Sequence, residues 1–141
     1  METLEIIKAT TREDLAKVFA IRRTVFVDEQ NCPPEIEYAN EEESVHFLAL
    51  SGQQPCAACR WRKTDLGYKL ERFAVLKDFR GKGIGGALVS TVLADLPADA
   101  HYVYLNSQVD AVGLYAKFGF ETEGEEFEEA GIKHYKMVKR F

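Results

Sequence analysis

Apolar and polar positions alternate from Glu2 to Lys8, the period-two pattern of a half-buried strand. Thr11 then stands three residues ahead of Asp14, as in a capping box. Leu15, Val18, Phe19, Arg22, Val25 and Phe26 follow at helical spacing, which predicts a helix from about residue 12 to the late twenties. Asn31-Cys32-Pro33-Pro34 ends it, because proline cannot donate an N–H to the preceding turn, and a loop with room for a short helical turn follows. His46 to Leu50, Cys56 to Lys63 and Tyr68 to Leu76 are strand-like runs joined by turns at Ser51-Gly52-Gln53 and Asp65-Leu66-Gly67. Connections that tight imply antiparallel pairing.

After Leu76 a glycine-rich stretch leads into Ile84, Ala87, Leu88 and Val92, a helix that runs to about Asp95 and is closed by Pro97. Tyr102 to Asn106 reads as a strand, Asp110 to Phe118 as a short helix with Gly119 just past its end, Phe120 to Gly124 as a further strand and Ile132 to Val138 as the last. The order β-α-β-β-β-α-β-α-β-β predicts an α+β fold. It is a single domain over residues 1–141, with a mixed, mostly antiparallel central sheet and helices on both faces.

Composition narrows the function. A chain of 141 residues without repeats or linkers suits one ordinary core. The N-terminus lacks an apolar leader and no run approaches a membrane span, so a soluble, cytoplasmic protein is expected. A formal net charge of −5 argues against binding nucleic acid. The acidic runs Glu41-Glu42-Glu43 and Glu121 to Glu129 could draw a cationic substrate, but read first as solvated surface. Cys56-Ala57-Ala58-Cys59 has metal-site spacing without a second pair, and positions three apart on a strand point to opposite faces. No metal is expected, and all three cysteines, Cys32 included, are expected as free thiols.

Arg80-Gly81-Lys82-Gly83-Ile84-Gly85-Gly86, between a strand and a helix, presents unpaired backbone N–H groups at a helix N-terminus. That is an anion site, most often for phosphate. A dinucleotide fold would want an acidic residue about 20 positions on, where Asn106 stands, and a phosphate loop of the Gly-Lys-Ser/Thr type fails because Gly83 follows Lys82. What remains is Arg80-x-x-Gly83-x-Gly85, followed at the right distance by Ala111-Val112-Gly113-Leu114-Tyr115-Ala116-Lys117-Phe118-Gly119-Phe120. This pair of motifs resembles the GNAT superfamily of acyl-CoA-dependent N-acetyltransferases.

The resemblance implies acetyl-CoA as acyl donor, with its pyrophosphate held by residues Arg80, Gly81, Lys82, Gly83, Ile84, Gly85 and Gly86. Main-chain groups of Phe73, Ala74 and Val75 would supply the oxyanion donor and pair with the pantetheine arm. Gln108 and Asn106 would lie beside that arm, and Tyr115 matches the family's general acid, which protonates the leaving thiolate. An attacking alkylamine is mostly protonated at neutral pH, so a base is needed; Glu71, on the face of the strand expected to carry Phe73, and the histidines His46 and His134 are the candidates.

Arg22-x-x-Val25-Phe26-Val27-x-Glu29-Gln30-Asn31-x-Pro33 and Gly131-Ile132-x-His134-x-x-Met137 further resemble the ElaA-like branch. They imply that Glu29, Gln30, His46 and His134 shape the acceptor side. Lys133 and Tyr38-Ala39-Asn40 depart from that branch, which leaves the acceptor open. With no cysteine near either motif, direct transfer to a small-molecule or peptide amine is preferred over an acetyl-cysteine intermediate. The rival is a non-catalytic acyl-CoA sensor or docking module, which would not need Tyr115. A homodimer is left open.

Overall fold

The computed structural model describes residues 3–32 and 44–141. Pro33 and Pro34, the loop after them with Tyr38 to Asn40, and the acidic run Glu41 to Glu43 lie outside the described residues. The described elements follow the expected order. They are β1 (Leu4–Ala9), α1 (Arg12–Arg22), β2 (Ser44–Ser51), β3 (Gln54–Lys63), β4 (Tyr68–Val75), α2 (Ile84–Asp95), β5 (Tyr102–Gln108), α3 (Val112–Ala116), β6 (Glu121–Glu129) and β7 (Ile132–Arg140).

Local chemistry accounts for several boundaries. Thr11 Oγ1 accepts the Asp14 N–H at 3.1 Å and caps α1. Beyond Arg22 the helix widens into a π-helical segment, Arg23–Glu29, where the amide of Gln30 reaches back to the carbonyl of Val25 at 3.2 Å. The two-residue turn Gly52-Gln53 takes positive φ at both positions, 55° and 71°, which matches the twist of the β2–β3 hairpin. Strand β6 runs on to Glu129, past the expected end at Gly124, because β7 pairs with it again beyond a bulge between Glu123 and Phe127.

The seven strands lie in the order β1-β2-β3-β4-β5-β7-β6, all neighbours antiparallel except β4 and β5. One face packs Ala9, Leu48, Ala58 and Ala74 against Val18, Ile21 and Val25 of the first helical stretch. The other carries the larger core, where Phe47, Leu70, Val103, Leu105 and Met137 meet Leu88, Val89 and Val92 of α2 and Tyr115 of α3. The parallel pair is brief: Tyr68 faces Val103 and Lys69 faces Tyr104, and no further ladder pair follows. The C-terminal halves of β4 and β5 therefore leave room for a cleft.

Strand β4 carries a bulge that the sequence pattern hid. Between the pairs Arg60–Glu71 and Ala58–Ala74, β4 uses one residue more than β3, and Arg72 adopts a left-handed φ of 58°. The extra residue reverses the alternation. Phe73 and Val75 pack with the α2 side of the core beside Leu70, whereas Ala74 belongs to the α1 side, so Glu71 does not share the face of Phe73 as the unbroken pattern implied. A second bulge, between Ala49 and Leu50 of β2 and Pro55 and Ala57 of β3, corrects the cysteine expectation: Cys56 and Cys59 join the same core cluster rather than opposite faces. All three cysteines are free thiols.

Candidate active site

Lys77–Phe79 makes a single 3-10 turn after β4, and Gly81 and Gly83 then take φ of 78° and 80° to bring the chain round into α2. The first helical bond runs from the Ala87 amide to the Gly83 carbonyl at 3.1 Å. The amides of Gly83, Ile84, Gly85 and Gly86 thus have no partner within the helix, the usual state of a helix N-terminus. The last two glycines also serve packing. A Cβ on Gly85 would stand 3.4 Å from Leu114 of α3, and one on Gly86 3.7 Å from the Phe118 ring, so both glycines lie in close contact with the α3 region.

A cavity of about 410 Å³ opens where β4 and β5 diverge. Leu70 to Val75 of β4 form one wall, Leu105, Asn106 and Gln108 of β5 another, with Tyr115, Asp110 and Ala111 from the α3 region, Glu129 and His134 from the last hairpin, and Val25, Phe26 and Gln30 from the first helical stretch. Arg80 marks the end nearest the glycine loop. A smaller recess of about 60 Å³ adjoins it, shared by Gln30, Arg72, Gln108, Glu129 and His134 and lined also by Cys32. Fold geometry thus brings a thiol toward the site that the linear sequence kept apart from both motifs.

Tyr115 is 6% exposed, with its ring edge-on to Phe73 at 5.6 Å and to Phe120 at 6.3 Å. Burial, with a smaller push from neighbouring Cys59, raises its phenol well above the ordinary value, so the proton stays on oxygen at neutral pH. Burial likewise pushes the Cys59 thiol well up, which makes it a poor nucleophile.

His134 Nδ1 lies 2.7 Å from the Ile132 carbonyl. A carbonyl can only accept, so in the neutral ring Nδ1 carries the hydrogen and Nε2 presents the lone pair. The ring stacks on Phe127 at 5.8 Å, and Nε2 stands 3.9 Å from a Glu129 carboxylate oxygen.

Other candidates sit differently. The Glu71 carboxylate accepts from Arg60 Nη2 at 2.9 Å and Arg62 Nε at 2.7 Å and lies 3.2 Å from Lys69 Nζ. Burial alone would raise its pKa, but the Arg62 hydrogen bond and the charges of Arg60, Lys69 and Arg62 outweigh it and hold it at about 2. A carboxylate so stabilised is a weak base. His46 is buried on the α1 face against the edge of Phe19, with ring centroids 5.8 Å apart, and is not among the cavity-lining residues. Glu29 binds Arg80 Nη2 with both oxygens, at 2.9 and 3.0 Å, while Arg80 Nε donates to the Val75 carbonyl at 2.9 Å. Lys82 Nζ rests 5.5 Å over the Phe79 ring. Gln108 Nε2 donates to Gln30 Oε1 at 3.0 Å, closing a bridge between β5 and the end of the π-helical segment.

Arg72 and Asp110, which carried no signal in the sequence, line the cavity, as does Glu129 from the acidic run read first as solvated surface. The alternation of β4 and the apparent solvation of the acidic run disguised them. Among the described residues no group of three or more His, Cys, Asp or Glu side chains could hold a metal ion.

Residues 8–141 match the family described as acetyltransferase (GNAT) domain. The chain belongs to the GNAT acetyltransferase family. Among GNAT proteins it is 41% identical over 140 residues to YjcF of Bacillus subtilis, named as an uncharacterized N-acetyltransferase, covering 96% of this chain and 99% of that one. The crystal structure of Escherichia coli ElaA superposes with a TM-score of 0.81 at 27% identity, covering 99% of this chain and all of that one, in keeping with the ElaA resemblance. An acyl-CoA N-acyltransferase from Pseudomonas aeruginosa gives 0.84 at 25% identity with 99% of both chains covered. The single GNAT domain, with its mostly antiparallel seven-stranded sheet, is the fold these proteins share.

Proposed function

We propose that this GNAT protein transfers an acetyl group from acetyl-CoA directly to a primary amine of a small molecule or peptide in the cytoplasm. The observation that carries the proposal is the convergence of Tyr115 and His134 on one cavity that opens between β4 and β5 and ends at the glycine loop. The free amides of residues 83–86 would receive the donor's pyrophosphate, with Lys82 as a nearby cation. Arg80 would act chiefly as a clamp, because Glu29 and the Val75 carbonyl already engage it. The thioester arm would lie along the unpaired edge of β4, where Phe73 to Val75, next to the bulge at Arg72 and lining the cleft, offer main-chain groups as candidate oxyanion donors.

His134, with Nε2 as acceptor, suits the base better than Glu71, whose lone pairs are tied up by three cations. Tyr115, protonated at neutral pH, suits the acid that meets the departing thiolate. Acetyl-CoA at a hundredfold excess over its Kd should raise the unfolding free energy by about 2.7 kcal/mol. Thiol release should then appear with at least one member of a panel of polyamines, amino acids, aminoglycosides and peptides. Stabilisation without transfer to any amine would favour an acyl-CoA sensor, and equal stabilisation by NAD would defeat the donor assignment.

A further inference from the structure

The last hairpin adds a residue that neither motif contains. Glu129, at the end of β6, and His134, at the start of β7, line both the main cavity and the smaller recess, with a carboxylate oxygen 3.9 Å from Nε2. The Nδ1 hydrogen is committed to the Ile132 carbonyl, so Nε2 is the nitrogen free to take a proton, and it is the one beside the carboxylate. A gap of this size between an acceptor nitrogen and a carboxylate is spanned by a group with several N–H donors. A primary ammonium is such a group.

We propose that Glu129 is the docking residue for the acceptor, which enters as the protonated amine and is held between the Glu129 carboxylate and His134 Nε2. The inference rests on the proposed transfer reaction and names its substrate class: primary alkylamines that carry a positive charge at neutral pH. Of the other charged groups around the cavity, Lys69 shares the Glu71 carboxylate with Arg60 and Arg62, Arg80 is paired with Glu29, Arg72 lines the same recess as Glu129 and His134, and Asp110 is another carboxylate on the cavity wall.

The protons balance. R–NH₃⁺ gives one proton to His134 Nε2, and the freed lone pair attacks the thioester carbon, forming the C–N bond. The C–S bond breaks as Tyr115 protonates the thiolate, and the nitrogen's second proton restores Tyr115. His134 then releases its proton to water. The sum is R–NH₃⁺ and acetyl-CoA giving the amide, CoA thiol and one proton.

The test is Glu129→Gln, assayed with the amine that the wild-type protein turns over best in the panel. The KM for that amine should rise about tenfold, as for a lost charge-assisted contact, while kcat at saturating amine and the KM for acetyl-CoA stay within about twofold. Glu129→Asp should restore most of the loss. In the wild type the amine KM should climb with ionic strength, and in Glu129→Gln that dependence should flatten. An unchanged amine KM overturns the inference, as does a fall in kcat with KM constant, which would make Glu129 only a support for the His134 ring. A thermal melt of each variant separates these results from loss of fold. If no amine is acetylated by the wild type, the transfer reaction itself fails; if amines are acetylated and Glu129→Gln behaves as wild type, only this inference does.

Discussion

Removing one oxygen from Tyr115 isolates its chemistry. Tyr115→Phe keeps the edge-on contacts to Phe73 and Phe120, so folding and donor affinity should survive. The single-turnover rate should drop by roughly 10² to 10⁴, the usual worth of general acid catalysis, and a rapid-quench measurement would show it. The loss should shrink with an acyl donor whose thiol is more acidic. His134→Gln should behave differently, slowing transfer at neutral pH with recovery at alkaline pH, where free amine is abundant. The sequence singled out Tyr115 and His134, which line one cavity, because each sits inside a motif with fixed spacing. Arg72 was not singled out, since its left-handed φ arises from strand register, which no local pattern encodes. The contacts of Glu29 and His46 were hidden for a similar reason. Their neighbourhood in sequence is right, but the partners Arg80 and Phe19 are fixed by tertiary contacts.

Among the elements, the α2 N-terminus lends itself to a paired test. At Gly83 an added Cβ meets nothing within 4 Å, so Gly83→Ala perturbs mainly the φ of 80° and the approach of a phosphate. Acetyl-CoA affinity measured by calorimetry should fall severalfold, with a stability loss of about 1 kcal/mol. Gly85→Val should reverse the balance, because its side chain presses on Leu114 across the α2–α3 contact. Its melting temperature should drop more than that of Gly83→Ala, by the 1–3 kcal/mol typical of overpacking. Element order was readable because helical and strand periods differ cleanly in α1, α2 and β3 to β5. The widening of the first helix at Arg23 was not, since the apolar pattern marks a helix without showing whether each turn closes on the fourth or the fifth residue. The length of β6 was missed because ETEGEEFEE carries almost no alternation; pairing with β7 alone makes it a strand.

For the molecule as a whole, the ion cluster on β3 and β4 governs behaviour in acid. Glu71 is held at about 2 against an unfolded value near 4.5, so it binds fewer protons folded than unfolded. Its stabilising contribution is complete above the unfolded value and is lost as pH falls through the folded one. A urea midpoint followed from pH 5 to pH 2 should therefore decline, and in Glu71→Gln that decline should be shallower. At neutral pH the same variant should be destabilised by about 3–5 kcal/mol, because Arg60, fully buried, would keep its charge without the carboxylate that faces it.

The sheet is also two ribbons sewn by a short seam. β1 to β4 form one ribbon and β5 to β7 the other, and among the described residues the pairs Tyr68–Val103 and Lys69–Tyr104 are the only ladder pairs that join them. Two closed ribbons meeting at a narrow stitch can breathe about it, and anything lodged in the open end becomes a temporary weld. Amide hydrogen exchange along Phe73 to Val75 and Asn106 to Gln108 should then slow on adding CoA while β2 and β3 keep their rates. A product that must cut its own weld to leave makes the opening of this seam, rather than acetyl transfer, the natural limit on turnover.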